Sequence, residues 1–143
     1  MSEANKTVVR DCWNAASTGK VSAVSPYYAG DAVYHGAGGE EVRGRANITA
    51  FLETYFTAFP DIKMTIEDIL AEGDRVFSRV RAQGTNTGDM MGMPPTGKRI
   101  DLRWLMNVAR IAEGKIQECW WAYDVLGALQ QLGVVPVPEH IEA

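Results

Sequence analysis

Apolar side chains in the first part of the chain recur at three- and four-residue steps, which is the spacing of one face of an α-helix. The pattern predicts helices over Ser2 to Thr18, Lys20 to Tyr28 and Ile48 to Phe59. Pro60 must end the third helix, because a proline pushes the residue before it out of the helical region. Six large apolar side chains make this helix a main packing element: Ile48, Phe51, Leu52, Tyr55, Phe56 and Phe59.

From residue 61 onward apolar and polar positions alternate, which is the period of a β-strand. Ile62 to Leu70 and Arg75 to Thr85 are predicted strands, and Asp31 to Gly36 is an earlier, shorter one. A last short helix is predicted over Val125 to Leu132, followed by an extended, proline-rich tail. Because helices come first and antiparallel hairpins later, the sequence predicts one α+β domain over residues 1–143.

The segment from Arg99 to Asp124 contains two strand-like runs on either side of Glu113-Gly114, as in a β-hairpin. A two-residue turn would need a positive φ at Glu113, which is unfavourable for a residue with a Cβ. A three-residue loop, Ala112 to Gly114, is therefore predicted. This register gives a mixed polar and aromatic face: Asp101, Arg103, Leu105, Asn107, Ala109, Gln117, Cys119, Trp121 and Tyr123. It gives a mostly apolar second face: Leu102, Trp104, Met106, Val108, Ile116, Glu118, Trp120, Ala122 and Asp124.

The pattern alone leaves two interpretations of the mixed face. It either meets water while the apolar face covers the core, or it lines a ligand cavity. The loop from Asn86 to Lys98 leaves two interpretations as well, because its glycines and prolines block regular structure while its methionines supply a flexible apolar surface. It packs its methionines onto the core or covers a pocket as a lid.

Composition and charge exclude several classes of function. The net charge is −4 without a basic cluster, which argues against a nucleic-acid partner. No apolar run approaches ~20 residues, so no membrane span is predicted. Cys12 and Cys119 have no paired framework and are predicted to be reduced thiols, which indicates a cytoplasmic protein. His35 and His140 lack ligand spacing and no phosphate-binding loop is present, so no metal or nucleotide cofactor is predicted.

Four segments carry a resemblance to a known family: AFPDIKMTIEDILAEGDRV, GTNTGDMMGMPPTGKRI, RIAEGKIQECW and LGALQQLG. The sequence resembles the SnoaL-like polyketide cyclases, within the nuclear-transport-factor-like superfamily. The resemblance implies a cone-shaped α+β barrel in which a curved, mostly antiparallel sheet wraps around the N-terminal helices. It also implies a pocket between sheet and helices, lined by the mixed hairpin face. Typical members are cofactor-free enzymes that act on small, mostly apolar molecules.

The chain departs from this family at the positions that carry chemistry. Cyclases of the family have a His and an Asp where this chain has Asn107 and Trp121, and often a His at Asn86. Asparagine has no useful pKa and the tryptophan N–H is only a donor, so the usual acid/base pair is absent. On these positions the chain is more similar to a branch of hydroxylases from aromatic polyketide antibiotic pathways.

Four residues are candidates for catalytic roles. Asn107 could donate to a substrate oxyanion. Arg103 could pair with Asp101 and hold it ionised. Asp101 or His35 could then move protons. Each candidate also has a structural alternative. Asp101 and Arg103 could form a surface salt bridge, the Asn107 amide could be hydrogen-bonded by neighbouring backbone, and His35 could serve a structural role.

Four more residues are candidates for substrate binding. Trp121 and Tyr123 could stack on a flat ring system. Asn86 and Met90 would contribute from the loop. For the two aromatic residues, ordinary packing is the alternative.

The function expected from these observations is a cofactor-independent tailoring enzyme of the hydroxylase type, which oxygenates the carbanion or quinol of a small hydrophobic polycyclic aromatic polyketide. An aldol cyclase or isomerase with a relocated acid/base is the second possibility, and a non-catalytic small-molecule binder is the third. Because the apolar hairpin face is too large a patch to leave in water, a homodimer or homotetramer is predicted.

Overall fold

The computed structural model describes residues 2–137 as four α-helices and six strands, with the helices and strands in the predicted α+β order. The helices are α1 (Ser2–Ala16), α2 (Val21–Val24), α3 (Arg45–Ala58) and α4 (Val125–Gln131), and a 3₁₀ turn (Ser25–Tyr27) follows α2. The strands are β1 (Tyr28–His35), β2 (Glu41–Arg43), β3 (Lys63–Glu72), β4 (Arg75–Thr85), β5 (Arg99–Ala112) and β6 (Lys115–Ala122).

All six strands form one curved sheet in the order β2-β1-β6-β5-β4-β3. Strand β1 runs parallel to β6, and the other described neighbours are antiparallel. The helices α1 and α3 pack on its inner face, and the core lies between them and the sheet. The expected α+β architecture is confirmed.

The three- and four-residue spacing in α1 positions one apolar stripe against the sheet. Val9, Cys12, Trp13 and Ala16 are all buried in the main core. Full burial of one large apolar side chain contributes about 1.5–3 kcal/mol, so this stripe fixes the helix on β3 and β4.

Most predicted elements are found with small shifts at their ends. Strand β4 has the predicted bounds, whereas α3 begins three residues before Ile48 and β1 begins at Tyr28. The short strand β2 was not predicted, because three residues are too few to show a period. The predicted extended tail lies largely outside the described residues, together with His140.

The predicted three-residue hairpin loop is wrong. Glu113 and Gly114 both have positive φ, 54° and 73°, and Ala112 pairs with Lys115, so the turn has two residues. Such a turn matches the twist of the flanking strands, and this outweighs the penalty at Glu113. A β-bulge beside Gln117 then inserts one residue into β6. The bulge restores the predicted faces, so that Asn107 pairs with Trp121 on the inner face.

A second bulge, in β5, overturns part of the face assignment. Val80 pairs with Leu105 and Ala82 with Leu102, so two residues of β5 oppose one residue of β4. In the part of β5 that precedes this bulge, the even-numbered residues are the ones that face the inside of the sheet. The prediction that Asp101 and Arg103 face the pocket is therefore wrong. Leu102 and Ile116, which were assigned to the outer face, instead line the cavity and pack in the core.

Candidate active site

A cavity of about 370 Å³ lies between the inner face of the sheet and the helices. This volume falls within the roughly 300–1,000 Å³ that is usual for small-molecule sites. Residues from all four helices, from five of the six strands and from the loops after β1 and β4 form its wall. The cavity is the candidate active site, and the mixed hairpin face contributes to it as expected.

The described wall of the cavity carries no charged side chain. The lining residues with a polar side-chain group are two tryptophans, Trp13 and Trp121, and four tyrosines, Tyr28, Tyr34, Tyr55 and Tyr123. The Trp13 Nε1–H is already used, because it donates to Ser78 Oγ at 2.9 Å. The wall therefore suits an aromatic, largely uncharged ligand that accepts hydrogen bonds at a few points.

The tyrosine hydroxyls are held in their neutral form. Burial raises the pKa of Tyr28 and Tyr34 well above the usual range. Burial, followed by the nearby Tyr123 hydroxyl, raises the pKa of Tyr55, and burial raises the pKa of Tyr123 as well. At neutral pH all four are protonated and can donate hydrogen bonds; Tyr55 and Tyr123 interact with each other, and Tyr28 interacts with Cys119.

A carboxylate that the sequence analysis missed lies next to Gly36, which lines the cavity, although the carboxylate is not itself among the lining side chains. Glu40 follows a tight loop in which Gly36 N–H donates to the Glu40 carbonyl at 2.9 Å and Gly38 N–H donates to Glu40 Oε1 at 3.0 Å. A Cβ at Gly36 would overlap Oε1, and one at Gly38 would lie 2.8 Å from Oε2. The two glycines thus make room for the carboxylate, and their spacing before Glu40 was the available sequence signal.

Three predicted binding residues lie on the cavity wall as expected: Trp121, Tyr123 and Met90. The Trp121 ring packs on Trp13 with centroids 4.9 Å apart and an angle of 50° between the planes. Met91 and Met93 also line the cavity, so the loop covers one side of it. Met90 also packs against the core cluster of Ala58, Phe59, Ile100 and Leu132, so the position of the loop agrees with both interpretations.

Asn107 does not line the cavity, contrary to prediction. Its side chain is 1% exposed, and Nδ2 donates to the Trp120 carbonyl at 3.2 Å. Its Oδ1 is buried without a hydrogen-bond partner. The amide therefore belongs to the packed layer behind the wall, and one of its two N–H groups is occupied by the Trp120 carbonyl.

Asp101 lies outside the cavity and pairs with Arg81, not with Arg103 as predicted. Arg81 Nε and Nη2 reach the two carboxylate oxygens at 2.8 and 2.5 Å. The hydrogen bonds from Arg81 lower the pKa of Asp101. Arg103 is exposed, so this ion pair is a surface feature of the outer face.

His35 also lies on the outer face, which corrects its predicted role beside the substrate. Its Nε2 is 2.7 Å from Glu118 Oε2, and its ring stacks on Trp120 at 5.3 Å with 5° between the planes. This hydrogen bond lowers the pKa of Glu118. The preceding residue, Tyr34, is the one that faces the cavity.

Asn86 is a structural anchor where a substrate contact was predicted. Its Nδ2 donates to the carbonyls of Ala58 and Gly88 at 3.1 and 2.9 Å. Its Oδ1 accepts from Thr96 N and Oγ1 at 2.8 and 3.0 Å. The amide is 1% exposed and its hydrogen-bonding capacity is used, so it ties the methionine loop to the end of α3.

Within residues 2–137, no group of three His, Cys, Asp or Glu side chains is arranged to hold a metal ion. In the same range no helix is long and apolar enough to cross a membrane. The absence of a cofactor remains a prediction from the sequence.

Comparisons with known proteins agree with this architecture. The family described as SnoaL-like polyketide cyclase matches residues 6–132. Aklanonic acid methyl ester cyclase DauD of Streptomyces sp. (strain C5) is 31% identical over 137 residues, covering 92% of this chain and 84% of DauD. The cyclase of the same name, DnrD of Streptomyces peucetius, is 31% identical and covers 92% of this chain and 93% of DnrD.

Among solved structures, AclR of Streptomyces galilaeus, which carries a provisional hydroxylase assignment, superposes with a TM-score of 0.85 at 28% identity. The match covers 99% of this chain and 89% of AclR. Fold, family match and relatives lead to one assignment: the chain belongs to the SnoaL-like polyketide cyclase family and is a polyketide-modifying enzyme.

Proposed function

We propose that the protein is a cofactor-independent tailoring enzyme of the hydroxylase type, and that its cavity binds a polycyclic aromatic polyketide. One observation carries the proposal. The cavity combines an uncharged aromatic wall with tyrosine side chains. The resemblance to the family implies that its acid/base pair would fall at Asn107 and Trp121, neither of which can act as a base. The likeness to AclR supports the hydroxylase type.

The aromatic and methionine side chains account for the substrate class. Trp121, Tyr123 and Phe56 offer flat apolar surfaces to a fused ring system. Met90 and Met93 add polarisable sulfur atoms that adapt to ring edges. The hydroxyls are the points at which carbonyl or phenolate oxygens of the substrate would be held.

The chemistry begins with removal of a proton from an acidic C–H that is conjugated with an aromatic carbonyl, as in an anthrone. The anion that forms is delocalised onto oxygen, and neutral tyrosine hydroxyls stabilise it by hydrogen bonds. The substrate carbanion is then oxidised by dioxygen and forms a C–O bond, which gives a hydroperoxide after protonation. A hydroperoxide that keeps a hydrogen on the same carbon loses water and becomes a ketone, so that R₂CH₂ and O₂ give R₂C=O and H₂O.

An oxygen-dependence assay tests the proposal. The purified protein is given 1,8-dihydroxyanthrone under air and under nitrogen, and the rate in buffer alone is subtracted. The expected result is uptake of one O₂ per anthraquinone formed in air, and no product under nitrogen. Oxidation no faster than in buffer would contradict the hydroxylase type.

A relocated-base cyclase is the second candidate, favoured by the two relatives named as aklanonic acid methyl ester cyclases. Aklanonic acid methyl ester is therefore the second substrate in the assay. Conversion of this ester at equal rates in air and nitrogen would favour the cyclase. Tight binding of both compounds without turnover would instead favour a non-catalytic binder.

The proposal places the enzyme in the cytosol, where the two buried free cysteines, Cys12 and Cys119, stay reduced. Burial raises the pKa of Cys119 to about 12, so its thiol is neutral and takes no part in the proton transfer.

A further inference from the structure

The carboxylate of Glu40 occupies the space that a side chain at residue 36 would fill. Tyr34 faces the cavity and His35 faces outward, so a Cβ at Gly36 would continue the alternation of β1 towards the cavity. That Cβ would overlap Glu40 Oε1, and Gly36 itself lines the cavity. The carboxylate therefore stands on the cavity side of the strand, at the rim.

Glu40 has no cationic partner among the described residues, unlike the carboxylate next to it in sequence. Glu41 Oε2 lies 2.7 Å from Arg43 Nη2, and its Oε1 lies 3.9 Å from His35 Nδ1. Glu40 is held only by the Gly38 N–H on Oε1, and no donor within residues 2–137 reaches its Oε2. One oxygen is positioned by the backbone and the other is free to take a proton.

We propose that Glu40 is the catalytic base of the cavity, and that Tyr55 and Tyr123 donate hydrogen bonds to the substrate oxygen that becomes negative. This inference rests on the proposed function, and the same base would serve oxygenation or ring closure. In the step, the substrate C–H or O–H bond breaks and an O–H bond forms on the Glu40 carboxylate. The electron pair stays on the substrate as an enolate or phenolate.

The electrostatics of the cavity agree with this arrangement. After burial, the Glu40 charge is among the causes that raise the pKa of Tyr34, Tyr55 and Tyr123. The charge of Glu40 thus acts on the hydroxyls of the cavity wall. The tyrosines stay neutral beside it, so base and donors keep distinct roles.

Turnover of matched variants tests the role of Glu40. Glu40→Gln keeps an oxygen for the Gly38 N–H and removes only the base, whereas Glu41→Gln removes the neighbouring carboxylate outside the cavity. Because a general base typically contributes about 10²–10⁴-fold, Glu40→Gln should lower kcat by at least about 10²-fold at an unchanged melting temperature. Glu41→Gln should keep the parent rate. Equal rates for Glu40→Gln and the parent would overturn the proposal and leave the proposed function standing.

Displacement of the carboxylate provides a second variant. The nearest atoms to an alanine Cβ at position 36 all belong to the Glu40 side chain, and only its flexible carboxylate end would be overlapped, so Gly36→Ala should fold normally while it moves the base. Its kcat should fall, and added formate should partly restore the kcat of Glu40→Ala. Full activity in Gly36→Ala with no rescue by formate would contradict a base at this position.

A bound dye gives a readout that needs no turnover. The visible spectrum of 1,2-dihydroxyanthraquinone reports ionisation of its hydroxyl, and a nearby carboxylate opposes that ionisation. The bound dye should ionise about one pH unit lower in Glu40→Gln than in the parent or Glu41→Gln. The same midpoint in all three proteins would place Glu40 away from the ligand and overturn the inference. Failure of the parent to bind the dye and to convert either assay substrate would contradict the proposed function together with the inference.

Discussion

The indole rings of Trp13 and Trp121 pack against each other with centroids 4.9 Å apart, and this contact joins α1 to β6. Ser78, which accepts the Trp13 N–H, and Trp121 are the cross-strand partners on either side of Asn107. Residue 107 is therefore closed off behind the two rings. The position that carries a histidine in the resembling cyclases is structural here, and the proposed chemistry moves to Glu40.

The buried environment of Asn107 predicts how substitutions behave. Asn107→Asp would bury a carboxylate without a cation, so the free energy of unfolding should fall by more than about 2 kcal/mol. Asn107→Leu removes the unpaired Oδ1 and should cost less, although it leaves the Trp120 carbonyl without its donor. Chemical denaturation measures both changes.

A different outcome for Asn107→Asp would contradict this assignment. If the variant is as stable as the parent and more active, residue 107 reaches the substrate. The relocated-base cyclase would then be the better account.

The tyrosine hydroxyls should matter for rate more than for folding. Loss of one oxyanion donor typically costs about 10²–10³ in kcat, which is the effect expected of Tyr55→Phe or Tyr123→Phe. Tyr27→Phe is the control, because Tyr27 packs on the core but does not line the cavity. Steady-state kinetics with 1,8-dihydroxyanthrone compare the three variants, and parent-like kcat in both cavity variants would exclude the donor role.

The methionine loop should be fixed at its base and mobile at its tip. Asn86→Ala removes an amide with four hydrogen bonds, and each buried group left unpaired costs about 1–3 kcal/mol. Hydrogen exchange at residues 87–97 should therefore accelerate in this variant. In the parent, bound 1,2-dihydroxyanthraquinone should slow exchange around Met90. Equal protection with and without the dye would identify a fixed wall instead of a lid.

We propose that the outer face of the sheet is covered by further copies of the chain, as a homodimer or homotetramer. Leu70, Phe77, Val108 and Trp120 form a cross-strand row on this face, and Trp104 beyond it is 64% exposed. An apolar patch of this kind is unusual on a monomer. Light scattering at micromolar concentration should give a multiple of the 15.7 kDa chain mass, and Trp104→Lys should lower it. A monomeric mass for the parent would rule out this assembly.

Most helices and strands were predicted well because their apolar pattern repeats regularly over many residues. The apolar stripe of α3 extends over about three turns and the alternation in β4 over about ten residues, and both elements were located closely. The outward turn of Asp101 was not predictable, because a bulge changes the face of a strand without changing its composition. Trp121 and Tyr123 were placed correctly because the bulge at Gln117 cancelled the error in the turn.

The candidate site was only partly predictable for a related reason. Glu40 lies in a glycine-rich loop, where no periodicity shows which way a side chain points. Asn86 and Asn107 were selected from family positions, yet their amides are used by neighbouring backbone and hydroxyl groups. A polar side chain can bind a ligand or form hydrogen bonds within the protein. Which of the two it does depends on residues that are distant in sequence.

We propose that the tyrosine-lined cavity, with Glu40 next to it, is the active site. A crystal structure of the complex with 1,2-dihydroxyanthraquinone tests it most directly. We expect the ring system against Trp121 and Tyr123, with one ligand hydroxyl within about 3.2 Å of a Glu40 carboxylate oxygen. Dye bound outside the cavity, or bound inside it with its hydroxyls towards Asn107 and away from Glu40, would contradict the account.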